Sequence, residues 1–232
     1  HFGVNLPQLI GPALPLLFTS STKDTLFWSG ITGIAVLSCF KHQEPRFLLP
    51  AVPLLLASIK WPTRHARLWL GPWILFNALA AIVFGRYHQA GVVPVQSWIA
   101  RQDHGISHVF WWKTYSPPRW LLGDANRVVN TTDLMGMPQE RMYEQIAGVV
   151  GCRGDDEDYV LLVAPSSYHN LRPGTRAAVP APGKTVLLEH RYMYRRHVGL
   201  DDLDWAEDGV WGTLQKVVGG RGLSVYGISQ EC

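Results

Sequence analysis

Cysteine is scarce in this chain: Cys39, Cys152 and Cys232 are its only three among 232 residues. That is too few for a disulfide-built scaffold, and their spacing matches no thiolate metal site. Cys39 stands inside an apolar run and reads as a small packed residue. Cys152 and Cys232 would pair only if both faced an oxidising compartment and met in the fold. Charge is scarce at one end. Residues 1–84 carry eight charged side chains (Lys23, Asp24, Lys41, Glu44, Arg46, Lys60, Arg64 and Arg67), and residues 85–232 carry the other 31. The net charge of +3 therefore divides into +4 and −1, with the basic excess in short loops between apolar runs. A nucleic-acid footprint needs basic residues clustered on a folded face, so no nucleic-acid partner is expected. There is no initiator Met and no signal peptide with a basic n-region and cleavage site. The opening His1-Phe2-Gly3, already apolar, reads as part of a longer product. Internal repeats and low-complexity tracts are missing as well.

What the first 84 residues do have is four apolar segments, at 2–18, 26–40, 47–59 and 68–84. None reaches the ~20 residues that a full bilayer crossing prefers. Pro7, Pro12 and Pro15 break the regular bonding of the first, which a membrane tolerates where neighbouring helices re-satisfy the backbone. The second opens on Phe27-Trp28, an interfacial pair. The third carries Pro50 and Pro53 and is the weakest, a candidate re-entrant segment. The stretch Lys60-Trp61-Pro62-Thr63-Arg64-His65-Ala66-Arg67 before the fourth is basic, and the positive-inside rule puts it in the cytoplasm. Alternation then puts 41–46 and everything after 84 on the lumenal side. Asn130-Thr131-Thr132, an N-glycosylation acceptor usable only in a lumen, agrees with that orientation.

Residues 85–232 change character and read as an α/β domain. Helical spacing or composition predicts helices at Val92–Ile99, Gln139–Val150 and Gly209–Val218. Aromatic and β-branched runs predict strands at His108–Tyr115, Tyr159–Ala164, Thr185–His190 and Leu223–Ile228. Arg172–Lys184, rich in proline and glycine, reads as a surface loop. Asp201, Asp202, Asp204, Glu207 and Asp208 form an acidic group without the ligand spacing of a calcium loop, so no metal is expected there. His190, Arg191, Arg195, Arg196 and His197 form a basic stretch of opposite sign beside it.

Between the second and third apolar segments lies Lys41-His42-Gln43-Glu44-Pro45-Arg46-Phe47-Leu48-Leu49-Pro50. Ionisable groups so near a bilayer are a functional-site hypothesis by default, although a solvated spacer between helices would use the same residue types. His42-Gln43-Glu44-Pro45-Arg46-Phe47-Leu48 resembles the His-x-Glu-x-Arg-Phe-Leu signature of the family 22 glycosyltransferases. Val4–Leu9, His88–Pro94 and Leu200–Trp205 resemble stretches of the branch that adds the fourth mannose to the glycosylphosphatidylinositol (GPI) precursor.

The resemblance implies a polytopic α-helical membrane protein of C-type glycosyltransferase-like architecture, with a C-terminal lumenal α/β domain at 85–232. It implies an endoplasmic-reticulum mannosyltransferase with dolichol-phosphate mannose as the lipid-linked donor, a GPI-precursor acceptor and no cofactor. His42, Glu44, Arg46, His88 and Gln89 would bind substrate, Arg46 offering the planar fork suited to phosphate. The family's catalytic acidic residue belongs to a first lumenal loop that this sequence does not hold, so the missing N-terminal half would be its partner and no catalytic residue is assigned. Two alternatives stay open: a sister enzyme of the same family acting on the third GPI mannose or on dolichol-linked oligosaccharide, and a non-catalytic membrane subunit whose lumenal domain binds a glycan or a partner.

Overall fold

The computed structural model describes residues 5–19, 21–40, 45–102, 105–151, 159–168, 175–181, 184–200 and 209–231. Contacts divide the chain into two units, His1–Ile82 and Val83–Cys232.

The first unit is helical: α1 Asn5–Ile10, α2 Leu14–Thr19, α3 Thr25–Leu37, α4 Ala51–Ser58 and α5 Ala66–Ile82. The first apolar run is thus two short helices rather than one continuous helix. A 3-10 turn at Gly11–Ala13 separates α1 from α2, because Pro12 donates no N–H and Gly11 turns left-handed at φ +57°. A Cβ on Gly11 would lie 2.5 Å from the Phe76 ring, so the turn also lets α5 approach. The third run is shorter than expected: the eight residues of α4 rise only ~12 Å, under half the hydrocarbon thickness of a bilayer. Asp24 starts α3 by accepting the Phe27 N–H at 3.0 Å. Gly30 of α3 meets Leu55 of α4 where a Cβ would come within 2.7 Å. Leu6, Ile10, Leu17, Phe27, Ile34, Leu48 and Leu55 are buried together in this unit's core.

Helix α5 continues through a π turn, Val83–Tyr87. The 22-residue helix Ala66–Tyr87 is, among the described residues, the one helix long and apolar enough to cross a membrane. None of the residues of α5 is buried, and Leu68, Leu75, Leu79 and Ile82 are all exposed. A helix apolar on every side belongs in lipid or in a protein core rather than in water. Cys39, expected to be packed, is instead exposed, because α3 ends at Leu37 and leaves it in the following turn.

The second unit is built on a six-stranded sheet ordered β2-β1-β3-β6-β5-β4. Its strands are β1 Ile106–Trp111, β2 Asn130–Asp133, β3 Tyr159–Pro165, β4 Arg176–Ala181, β5 Lys184–Tyr194 and β6 Leu223–Glu231. β1 pairs in parallel with β2 and β3, and β6, β5 and β4 follow antiparallel. Six of the seven residues of β3 are buried, as a central strand covered on both faces requires.

Alternation along β1 sends Val109 and Trp111 to one face and Phe110 and Trp112 to the other. The first face is packed by α6 Val92–Ile99 and by Leu122 of the 3-10 turns Arg119–Arg127. The second is packed by Met142, Tyr143 and Ile146 of α7 Gln139–Ala147. Helix α8 covers Gly209–Leu214 and continues as a π turn, Gln215–Gly219.

Two strands depart from the sequence reading. Arg176–Ala181 lies within the expected surface loop yet pairs with β5. Pro180 is admissible there because β4 is an edge strand, whose outer N–H groups need no partner. The sequon supplies β2, the opposite edge, where Asn130 itself is exposed.

Candidate functional site

His88 is the residue immediately after the apolar helix, and its N–H donates back to the Val83 carbonyl at 2.8 Å. The chain there forms an isolated parallel bridge with Val198, 110 positions away. The Gln89 N–H donates to the Val198 carbonyl at 3.1 Å, and the Val198 N–H to the Tyr87 carbonyl at 2.9 Å. Gln89 is buried and left-handed at φ +53°, a conformation that costs a non-glycine residue energy and marks functional positions. Its Oε1 accepts the Tyr115 N–H at 3.4 Å.

These bonds hold His88 between two partners. Its Nδ1 accepts the Leu200 N–H at 3.4 Å, which puts the ring proton of the neutral form on Nε2. Nε2 then donates to the Tyr115 hydroxyl at 3.0 Å. Phe84 packs edge-on against the His88 ring at 5.7 Å, and Tyr115 at 5.4 Å.

His197 lies beneath this pair. It is 1% exposed, and its Nδ1 accepts the Gly91 N–H at 3.2 Å. Its Nε2 is a buried polar atom with no hydrogen-bond partner. Burial, helped by the neighbouring His88, pushes its pKa down to about 4.

That shift makes an expected outcome. From pH 6.5 down to 4 the unfolded chain binds a proton at residue 197 and the folded chain does not, so acid favours unfolding. The loss amounts to about 3 kcal/mol across this window and stops below the folded pKa. His190 and His108, also lowered by burial, add to it with the same sign. Thermal melts of the chain between pH 7 and 4 should show the fall. His197→Asn, whose Oδ1 can replace Nδ1 as acceptor, should flatten most of the slope; an unchanged slope would remove His197 as its cause.

Of the side chains singled out from the sequence, His88 and Gln89 are described and stand together. His42 and Glu44 lie outside the described residues. Arg46 falls in the 3-10 turn Pro45–Leu48, and its side chain is outside them too. The acidic group at 201–208, Cys152 and Cys232 are likewise outside. The basic stretch at 190–197 is not one surface. His190 and His197 are buried, while Arg191 pairs with Glu189 at 3.2 Å. Tyr115 and His197 had no local signal, since only the Val198 bridge and the turn after β1 carry them to His88. Among the described residues no three His, Cys, Asp or Glu side chains converge to hold a metal ion.

The sequence profile of the Alg9-like mannosyltransferase family matches residues 1–122, which include the His42–Leu48 stretch, His88, Gln89 and Tyr115. The chain belongs to that family. Its members are membrane glycosyltransferases. Similar relatives include proteins named GPI mannosyltransferase 4 from Emericella nidulans (38% identical over 97% of this chain and 48% of the relative) and Aspergillus oryzae (38%, covering 97% and 47%). Another, from Eremothecium gossypii, is 34% identical over 99% of this chain and 47% of the relative. The chain thus spans about half the length of the relatives it matches. No solved structure matches it.

Proposed function

We propose that this chain is the C-terminal part of an endoplasmic-reticulum mannosyltransferase. It would move mannose from dolichol-phosphate mannose onto a trimannosyl GPI precursor, in α-1,2 linkage, as the fourth mannose. The observation that carries the reading is the similarity along 97% of the chain to relatives named GPI mannosyltransferase 4. The single family motif and one crossing helix would not specify so much.

In the transfer, the bond between the sugar's anomeric carbon and the phosphate oxygen breaks, and the acceptor hydroxyl oxygen bonds to that carbon. Negative charge collects on the departing dolichyl phosphate, where a guanidinium fork stabilises it best. Arg46 takes that role, Glu44 orients Arg46 or binds sugar hydroxyls, and His42 donates to a phosphate oxygen. His88, Gln89 and Tyr115 form the sugar-binding group at the end of the apolar helix. The base that removes the acceptor proton is not assigned to any residue of this chain.

The topology follows the charges: the loop Lys60–Arg67 cytoplasmic, the α/β unit lumenal. Exposure of Asn130 on an edge strand supports its use as a glycan acceptor.

Microsomes depleted of the full-length protein test both parts. They should accumulate the three-mannose GPI lipid when given dolichol-phosphate mannose, and re-expression should extend it to a product sensitive to α-1,2-mannosidase. Extension of a different acceptor would replace this reading by a sister enzyme, and no extension of any acceptor by a subunit. In the same microsomes Asn130→Gln should abolish a glycosidase-sensitive mobility shift, whereas a chain never glycosylated and cleaved at 85–232 by outside protease would invert the orientation.

A further inference from the structure

Between Leu68 and Phe84 every side chain is hydrophobic, glycine or proline except Asn77. Asn77 stands eleven positions from Ala66 and ten from Tyr87, the two ends of the 22-residue apolar helix. About 15 Å of helix therefore lies on either side of it, which puts it near the middle of a hydrocarbon layer about 30 Å thick. Its Nδ2 donates to the Trp73 carbonyl one turn back, at 2.8 Å. Among the described residues that is the one bond its side chain makes. Oδ1 and the second amide N–H are left over, and the residue is exposed.

Water would satisfy both groups at no cost. Lipid chains offer neither donor nor acceptor, so a polar group at that depth needs a protein partner. The direction it faces follows from the helix. Trp69 and Trp73 pack against the core of the first unit, and Phe76 meets Gly11, which marks the inner side of α5. At 100° per residue Asn77 lies about 70° round from the middle of that side, with Ile74 and Ala81 beside it. Both neighbours are exposed, and the small Ala81 would let another backbone come close. Leu75, also exposed, lies about 160° round from Asn77.

We infer that the Ile74–Asn77–Ala81 face of α5 docks a membrane-spanning helix from the N-terminal half of the full-length protein, one that offers Asn77 a hydroxyl or amide side chain. The inference rests on the reading that this chain is the C-terminal part of a longer membrane protein. Its relatives are about twice as long as the part it matches, so roughly as much chain again is at hand to supply the helix. A second copy offering its own Asn77 is the weaker occupant. A segment of the same chain is held at an effective concentration on the order of millimolar, which a separate molecule does not reach.

The test uses the full-length protein in microsomes, with a protease site introduced just before residue 1 and the photo-crosslinker benzoylphenylalanine placed at position 74 or 75. After irradiation and cleavage, the Ile74 probe should keep the 232-residue piece joined to the preceding half, and the Leu75 probe should not. With the Ile74 probe, Asn77→Leu should lower the joined fraction about threefold or more, and Asn77→Gln should keep most of it. An adduct of twice the full mass, or with another protein, overturns the occupant. No protein adduct from position 74 overturns the docking face. An unchanged joined fraction in Asn77→Leu overturns Asn77 as its anchor; if that variant is not inserted, the two probes in the otherwise parental chain decide. Carbonate washing reports separately whether the protein is embedded. Release from the membrane overturns the crossing helix and this inference together, whereas an embedded protein that does not join overturns this inference alone. Joined halves beside failed mannose transfer would remove the mannosyltransferase reading and leave the docking face standing.

Discussion

Mannose transfer by the full-length protein should fall at least about 100-fold in kcat/KM on Arg46→Ala, equivalent to about 2.7 kcal/mol of lost transition-state stabilisation. Arg46→Lys should still lose about tenfold. Lysine keeps the charge, but not the two parallel donors that a guanidinium presents to phosphate oxygens. Because the phosphate gains charge only as the sugar leaves, the loss should appear in kcat more than in KM. Microsomes supplied with dolichol-phosphate mannose give the measurement, with Glu44→Gln as the companion variant. Parental turnover by both Arg46→Lys and Glu44→Gln would reduce the charged stretch to a spacer between helices.

The largest stability effect is expected at Gly91. Its φ is an ordinary −79°, so the requirement is space. A Cβ there would sit 2.7 Å from the Leu223 Cβ and 3.0 Å from the His197 Nδ1. Leu223 Cβ is fixed to the backbone of β6 and cannot swing away as a side-chain tip would. Gly91→Ala must therefore push α6 off the sheet and stretch the Gly91–His197 bond, at about 3 kcal/mol. For a chain of this size that corresponds to a melting point lower by roughly 9 °C. A thermal melt of the variant checks it, and a shift under two or three degrees would show that the strand yields more readily than its packing indicates. Since Gln89 and His88 stand two and three positions before this glycine, loss of their Tyr115 contacts should accompany the shift.

Local pattern was enough for the elements whose burial is decided within one turn or one strand. Val92–Ile99 forms the helix expected of it, and the expected strands at 159–164 and 223–228, read from aromatic and β-branched residues, form as Tyr159–Pro165 and Leu223–Glu231. Gln139–Ala147 forms from its buried Met142 and Ile146 face. Pattern misled where the partner, not the residue, decides. Arg176–Ala181 has the proline of a loop and becomes a strand because β5 is there to pair with it. Asn130–Asp133 has no apolar alternation and is a strand only through β1. The first apolar run was expected to be broken at its prolines, but which of them makes the turn is set by the left-handed Gly11 before Pro12, which hydropathy does not register. In the site, the motif pointed to His88 and Gln89 but not to Tyr115 or His197. His197 in particular read as surface charge beside arginines, when its environment is set by a bridge to residue 88.

The position of β6 has a consequence for synthesis. It is last among the strands, yet it pairs β3 on one edge and β5 on the other. Until residues 223–231 have left the ribosome, β3 and β5 each present an open hydrogen-bonding edge. At ~5–20 residues per second, roughly 3–13 s separate the emergence of β3 from that of its partner. The buried apolar residues of β3 spend that interval without their neighbour strand, as a template for wrong pairing. A stop codon anywhere before residue 223 would leave both edges open for good.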